Sequence, residues 1–381
     1  MASPGYHLTL QVGPTIPQPA PRAILEAIDS IEVRHSDQGR SGFQIVLRTG
    51  RSRTDLIDDP LVIEDLIQPF SRVRIIVTIA GESNVLMDGF ITTHQFSPGA
   101  TAGTGTLTLT GEDISVMMDR EEWTIPWPIA PYLRVLAILA KYAVLGVVPV
   151  AIPPTTLLAP NPIDEIPTQS NATDRAYLTS LADLFGYVFY VDPGPATGVN
   201  TAYWGPPIRV GVPQPALTWN MGASSNVTSI NFQHDPTPGT IYYGLVHTPI
   251  PGLSTLPVAT VGTLRIPLSK RPSLQNNLLY AQKKLIKPEW GNDTIALLVR
   301  AQSATDRSTD TTATANGELD VFRYGGVLKA RQLVELRGVG QSYDGTWYVK
   351  EVTHSIRIGE YRQSFSLARE GLGAKSDKVS V

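Results

Sequence analysis

Two alternating runs near the end of the chain constrain its fold most. Trp347–Ile358 (WYVKEVTHSIRI) and Tyr361–Arg369 (YRQSFSLAR) are separated only by Gly359 and Glu360. Period-two alternation belongs to a strand with one buried face, and glycine first in a two-residue loop suits a type II′ hairpin turn. That loop predicts a register in which Ile358 faces Tyr361, His354 faces Phe365 and Val352 faces Leu367, with Tyr348 and Ile356 on the same face. Glu351, Thr353, Ser355 and Arg357 then fall on the other face, against Ser364 and Ser366. One apolar and one polar face is what the wall of an antiparallel β-barrel requires.

The first 110 or so residues carry the same signature. VRIIVTIAG and NVLMDGFITTHQF are β-rich runs around a turn-like Gly81–Asn84 segment, and GTLTLTGED alternates threonine with leucine. SPGATAGTGT, just before it, reads as a hairpin tip, because its glycines do not fit a dinucleotide or P-loop spacing. The character changes at Ile114, where apolar residues take up helical spacing to about Ala143. Pro131 suits a first helical turn, and Leu133, Leu136, Ala137 and Ala140 form one face. The proline-dense stretch 147–167 reads as an extended connector. A second helix is capped by Thr173 or Asp174, carries a stripe of Tyr177, Leu178, Leu181, Ala182 and Phe185, and ends at Gly186. Strands follow in YVFYV and TAYWGPP, then across Leu217–Phe232, before a Pro/Gly/Thr-rich stretch at 235–262. A third helix is expected over Ser273–Lys287, with Leu274, Leu278 and Leu285 on it and Pro288 as its stop. ATDRSTDTTATANGELD reads as a polar loop or edge strand.

Composition removes several function classes. A formal net charge of −3 opposes nucleic-acid binding, which requires an excess of Lys and Arg to neutralise phosphates. With no cysteine there is no disulfide, thiolate metal site or Cys nucleophile. The start MASPGYHLTLQVG has neither a basic nor an apolar signal region, which points to synthesis in the cytoplasm without a signal peptide. The most apolar stretch, Ile129–Ile152, carries Arg134, Lys141, Pro131 and Pro149, so no membrane insertion is expected.

No catalytic constellation emerges. GASSN around Ser224 lacks the closing glycine of a nucleophile elbow, and no H-E-x-x-H occurs. His7, His35, His94, His234, His247 and His354 are scattered and read as structural or solvent-facing. Glu121 and Glu122 beside Trp123 suggest a glycosidase pair, but adjacent residues on one element rarely flank a substrate from two sides. Asp55, Asp58 and Asp59 lack the glycine and closing Glu of a calcium loop. Trp123, Trp127, Trp204, Trp219, Trp290 and Trp347 are spread along the chain and suit packed corners better than a sugar-stacking platform. Asn171, Asn226 and Asn292 head sequons that mean little without secretion. No cofactor or metal is expected.

Residues 323–373 (RYGGVLKARQLVELRGVGQSYDGTWYVKEVTHSIRIGEYRQSFSLAREGLG) resemble the end of the phage late-control gene D family. That family includes baseplate hubs of contractile tails and is similar to the hub part of the valine–glycine-repeat spike proteins of type VI secretion. Tyr343, Asp344, Gly345, Tyr348, Val349, Val352, His354, Gly359, Tyr361, Phe365, Leu367 and Arg369 carry the likeness. DRAYLTSLADLFGYVFYVDPG and SNVTSINFQHD also look like that family, and the likeness thins before residue 110.

The resemblance implies a mainly β, α+β chain with two tube-forming antiparallel β-barrel domains and inserted α/β domains, assembling as a ring. The expected units are a first barrel at 1–112, a mixed α/β domain at 113–207, a second barrel at 208–240 and 310–371, an insert with a helix at 241–309, and a polar tail at 372–381. It also implies a non-enzymatic homotrimer that matches a six-fold inner tube of hexameric rings to a three-fold spike. Baseplate wedge proteins are further partners, and the chain becomes part of an assembled particle. No needle repeat follows the match, so the spike is expected on a separate polypeptide, with the tail AKSDKVSV reaching towards it. Two other functions stay open from the residues alone. One is a carbohydrate-binding tail adhesin using Trp123 and Trp127; the other is a tail glycan hydrolase using Glu121 and Glu122.

Overall fold

A computed structural model describes residues 5–49, 61–62, 64–100, 104–154, 168–235, 239–247, 255–260, 262–276, 278–287 and 294–375. The N-terminal region supplies β1 (Tyr6–Gly13), α1 (Arg22–Ala27), β2 (Ile28–Ser36), β3 (Gly42–Thr49), β4 (Arg72–Ile79), β5 (Glu82–Ser97) and β6 (Gly105–Asp113). GTLTLTGED behaves as its alternation predicts: Leu107 and Leu109 are buried, while Thr106 and Thr108 are half-buried. The glycine-rich segment before it joins β5 to β6, its residues 101–103 lying outside the described set. β4 and β5 turn tightly at Ala80–Gly81, both at positive φ.

The middle region contributes β7 (Glu122–Pro126), α2 (Pro131–Ala140), β8 (Val147–Ala151), β9 (Thr168–Thr173), α3 (Asp174–Phe185), β10 (Val188–Pro193) and β11 (Asn200–Gly205). Pro131 opens α2 as expected, but the buried face is Arg134, Val135, Ile138 and Leu139. Leu133, Ala137 and Ala140, placed on the inner face by sequence, are exposed. Both stripes are apolar, so periodicity alone could not choose between them. Helical spacing from Ile114 is also interrupted, by a 3-10 turn at Ile114–Asp119 and by β7. α3 follows expectation: Thr173 accepts a hydrogen bond from Ala176 N, and Gly186 closes the helix at φ +69°. The first part of the expected connector is a strand, β8, and residues 155–167 lie outside the described set. Ile138, Leu139, Leu178 and Trp204 centre a core of their own.

The C-terminal region adds β12 (Gln214–Thr218), β13 (Val227–His234), β14 (Thr240–His247), β15 (Thr255–Ala259), β16 (Gln282–Leu285), α4 (Thr294–Thr309), β17 (Ala313–Asp320), β18 (Leu333–Arg337), β19 (Gly345–Arg357) and β20 (Glu360–Arg369). The helix expected over 273–287 is absent. Single turns at Ser273–Asn276 and Leu278–Tyr280 lead into β16, and Pro288 lies outside the described residues. The long helix is α4 instead, and it runs into the polar stretch read as loop. α4 buries Ala301, Ser303, Thr305 and Thr309, small residues that give no apolar stripe to detect. The rest of that stretch, β17, is an interior strand between β13 and β20.

Thirteen strands form one sheet, ordered β13–β17–β20–β19–β2–β3–β6–β5–β4–β1, with Gln18–Pro19 at the far end and β12–β18 branching from β19. The fold is mainly antiparallel β with helices, as expected. Among the described residues the sheet is open and branched, with no closed barrel, because its end strands do not pair with each other. A single core runs along it from Leu10 to Leu367. The smaller sheets are β7–β9, β10–β11–β8, β15–β14–β16 and a two-residue pairing of Arg271–Pro272 with Gly371–Leu372. Among the described residues no helix is long and apolar enough to cross a membrane.

The terminal hairpin keeps the expected faces from Val352 to Ile356 and has a different register; a bulge between Val349 and Glu351 turns Tyr348, expected beside Val352, to the opposite face and puts Val349 in the core, and Ile358, expected on the inner face, is exposed. Ile356 pairs with Tyr361, His354 with Gln363 and Val352 with Phe365, two residues away from the expected partners. The loop is Ile358–Gly359, with glycine second at φ +79° rather than first. A shift of two preserves the side on which each residue points, so Val352, His354, Ile356, Tyr361, Phe365 and Leu367 are all buried.

Candidate functional site

The residues that carry the family likeness divide into a turn clamp, core positions and a polar junction. Arg369 forms the clamp. Its guanidinium lies 4.1 Å from the Trp347 ring centre and donates to Asp344 O at 3.0 Å and Ser342 O at 2.6 Å. Burial brings its pKa down to about 10. Asp344 accepts from Val339 N at 2.9 Å, Trp347 Nε1 donates to Tyr343 O at 2.8 Å, and Tyr343 packs on Phe232 at 4.4 Å. Gly345 sits at φ +104°, and a Cβ there would lie 3.1 Å from Ala374 Cα. Val349, Val352, Phe365 and Leu367 fill the main core, and Gly359 turns the hairpin. Tyr348 is buried beside Leu268 and Leu333. Its hydroxyl has no hydrogen-bond partner among the described residues, and burial raises its pKa well above the usual range.

His354 and Tyr361 belong to the junction. β2 and β19 pair so that Val352 faces His35 and Val33 faces His354. The two imidazoles meet edge to face, 5.7 Å between centres. His35 Nε2 donates to Leu86 O at 2.7 Å, because a carbonyl can only accept. His354 Nδ1 accepts from Tyr361 Oη at 2.8 Å and from Gln363 Nε2 at 3.3 Å, and Gln363 also donates to Leu328 O at 2.8 Å. An accepting Nδ1 keeps the His354 ring neutral, whereas the His35 hydrogen bond suits either form and its charge is opposed by its surroundings. Burial, reinforced by the Arg331 charge, pushes His35 down to about 3. Burial, with His35 adding to it, holds His354 well below the ordinary imidazole value.

Arg331 ties this pair to the middle region. It is buried at φ +64° and donates from Nε and Nη2 to Ser36 O at 3.0 and 2.7 Å, and from Nη2 to Ser41 Oγ at 2.7 Å. Its Nη1 pairs with Asp192, and its guanidinium lies 4.2 Å from the Tyr190 ring centre. One side chain from the C-terminal region thus grips the β2–β3 turn and β10 together. Beside it opens a cavity of about 460 Å³, bounded by His35, His354, Tyr190, Asp192, Tyr203 and Lys329. A second buried cluster lies nearby: Arg209 bridges Glu370 at 2.8 Å and Asp310 at 2.6 Å, and Arg265 also pairs with Asp310. These groups pair with one another and brace the fold, with Arg209 Nε alone in the cluster lacking a partner among the described residues.

The other sequence candidates stay apart. Glu121, Glu122 and Trp123 are exposed on the β7 ribbon, with Lys141 Nζ 5.2 Å from the Trp123 ring centre. Trp127 donates to Gln169 Oε1 and Trp204 to Leu178 O, both at 3.3 Å; Trp204 and Trp347 are fully buried and Trp219 packs on the core. Asn171 is exposed, whereas Asn226 is buried in the β12–β13 connection. Asp55, Asp58, Asp59, Trp290 and Asn292 lie outside the described residues. Of the histidine rings described, only His35 and His354 are seen in contact; the His247 side chain is not among those described. Among the described residues no group of three His, Cys, Asp or Glu could hold a metal ion. Sequence reasoning missed Arg331, Asp192, Tyr190 and Gln363, which come from three separate segments and leave no local signature.

No protein-family model matches the chain, and no curated protein matches it. Solved structures do match. The tail protein of Neisseria meningitidis MC58 superposes with a TM-score of 0.60 at 14% identity, over 97% of this chain and 98% of its own. The 43 kDa tail protein of prophage MuSo2 from Shewanella oneidensis gives 0.61 at 12% identity, over 96% and 99%. A component of the Escherichia coli type VI secretion system, described as structurally similar to bacteriophage T4 tail proteins, gives 0.53 at 10%, over 92% and 76%. The fold is that of phage-tail and type VI secretion tail-like proteins, as residues 323–373 led one to expect.

Proposed function

We propose that this chain is a structural hub of a phage-tail-like or contractile injection baseplate, without catalytic activity. In this reading three copies form a ring that joins a six-fold inner tube to a separate three-fold spike, with wedge proteins around it. The chain is made in the cytoplasm and ends in an assembled particle. The observation that carries the reading is the near-complete, two-way coverage with two tail proteins. Fold likeness alone leaves function to be argued from the site, and the site supports a scaffold role. The buried polar groups at the junction are engaged with one another across three chain regions, and the conspicuous cavity has neutral imidazoles in its wall.

Deleting the gene in a producing strain tests the reading. Electron micrographs should then lack complete tails, and plasmid-borne protein should restore them. Normal, active particles without the protein would end the hub assignment. Light scattering of the purified chain should give three times its 41.3 kDa mass, alone or with its spike.

A further inference from the structure

The β2–β3 turn is where Arg331 joins the C-terminal region to the N-terminal one, and it is closely tied down. Arg331 donates to Ser36 O and Ser41 Oγ, Asp37 N donates to Lys350 O at 3.0 Å, and Gln38 N donates to Ser36 Oγ at 3.2 Å. Ser41 N and Ser115 N donate to the Asp113 carboxylate at 3.0 and 2.8 Å, so two N–H groups match that buried side chain. The Asp37 carboxylate is built differently. Its Oδ1 is closed off from water and has no hydrogen-bond partner among the described residues.

The groups around Asp37 do not complete it. Tyr348, two residues before Lys350 on β19, is buried, and its hydroxyl is the second polar atom here without a partner among the described residues. Lys350 and Arg331 face Asp37 as cations, Asp310 faces it as an anion, and Tyr190 on β10 faces it too. Arg331 directs its donors to Ser36, Ser41 and Asp192 instead, and Asp310 is held by Arg209 and Arg265. His35, two residues back on β2, has its own bond to Leu86 O. A carboxylate oxygen buried without a partner disfavours the charged form. Burial accordingly raises the Asp37 carboxyl from 3.8 to about 6, with Lys350 and Arg331 opposing the rise and Asp310 adding to it.

We infer that Asp37 is a proton-operated latch on the β2–β3 turn: uncharged, it leaves the turn closed, and charged, it favours a local opening that carries the carboxylate to water. The closed turn binds the Asp37 proton more tightly than the open one. Closure is therefore strongest in acid and weakens as pH rises from 3.8 to about 6. Above that the carboxylate is charged in both states and the bias levels off. From about pH 5 to about pH 7 the open fraction attributable to Asp37 rises about tenfold. Opening draws Ser36 and Ser41 away from Arg331, which also holds Asp192 on β10, so one proton adjusts how firmly the three chain regions are joined. His35 and His354 bias the sheet in the opposite direction, so Asp37 is read by difference. The latch does not depend on the hub reading.

Amide hydrogen exchange of the full chain tests this at residues 36–42, at about pH 5 and about pH 7, after correction for the intrinsic exchange rate. Asp37→Asn keeps the shape of the side chain and removes its charge. The ratio of variant to wild-type protection in the turn should grow about tenfold from the lower pH to the higher. Lys350→Met keeps Asp37 and removes a cation that favours its charged form, so the pH at which the wild-type turn loosens should move upward. That variant gives an independent reading if asparagine is not accepted at position 37. A variant-to-wild-type ratio that stays constant between the two pH values overturns the inference. A transition that Lys350→Met leaves in place, or moves downward, overturns it as well.

Discussion

His35 and His354 come from opposite ends of the chain and meet edge to face at 5.7 Å on adjacent strands. The β2–β19 pairing they sit on joins the N-terminal strands to the C-terminal ones, so the continuity of the thirteen-stranded sheet passes through this contact. A neutral imidazole pair can be buried there; two charged rings could not, with the Arg331 guanidinium beside them.

Acid should therefore weaken the fold through this pair. Both rings bind protons less readily in the folded chain than in the unfolded one. Their stabilisation is fully present above the ordinary value of 6.5 and is lost as pH falls below it, for His35 down to about 3. His35 contributes about 1.4 kcal/mol per pH unit within that window, and His354 acts in the same direction. Asp37, which burial raises to about 6, acts in the opposite sense as pH falls below that value. The histidine part is isolated by difference, comparing urea midpoints at about pH 7.5 and about pH 5 in wild type and His354→Gln. The variant should be less stable at the higher pH and lose less on acidification. An equal loss in both proteins would show that the pair does not govern the acid limb.

Arg331→Ala should lower unfolding free energy by about 3–5 kcal/mol, because it orphans Asp192 and the acceptors at Ser36 and Ser41 together. Arg331→Lys keeps the charge but lacks the planar fork that reaches several acceptors at once, and should recover only part of the loss. Denaturant titration reads both. A change below about 1 kcal/mol in Arg331→Ala would mean the junction is not a brace.

Arg369→Lys tests the turn clamp in the same way. Lysine cannot both stack on Trp347 and reach Asp344 O and Ser342 O, so a loss of about 2 kcal/mol is expected. The near-ultraviolet circular dichroism of Trp347 should change with it. An unaltered spectrum would place the arginine's role elsewhere.

Side-chain parity was legible in the sequence, and pairing partners were not. The alternation in WYVKEVTHSIRI gave the inward residues from Val352 to Ile356, yet the hairpin register moved by two, since any even shift preserves parity, and the bulge after Val349 reversed the sides of Tyr348 and Val349. α3 was readable from its caps at Thr173 and Gly186, which are local chemistry. α4 was not, because it buries alanine, serine and threonine against its neighbours. The leucines at 274, 278 and 285 imitated a helix, whereas Leu278 and Leu285 are exposed. The junction was the least legible part, since Arg331, Asp192 and His35 meet only through long-range pairing.

A shared device in the two halves of the sheet gives the last prediction. Phe43 faces Gly111 across β3 and β6, and Phe365 faces Gly317 across β20 and β17. In each case the ring lies over the glycine: an added Cβ would fall 2.2 Å from the Phe43 ring and 2.6 Å from the Phe365 ring. Gly317 is also hemmed in by Ser229 O, 2.5 Å from that Cβ, so backbone as well as ring must move. Gly317→Ala should therefore destabilise by about 1–3 kcal/mol, although alanine is otherwise the better strand residue. Phe365→Leu on the same background relieves the ring clash and leaves the carbonyl clash, so the two changes should be coupled by at least about 0.5 kcal/mol. Thermal or urea unfolding of the four proteins of the cycle measures this. Strict additivity would mean that the ring does not occupy the space above the glycine.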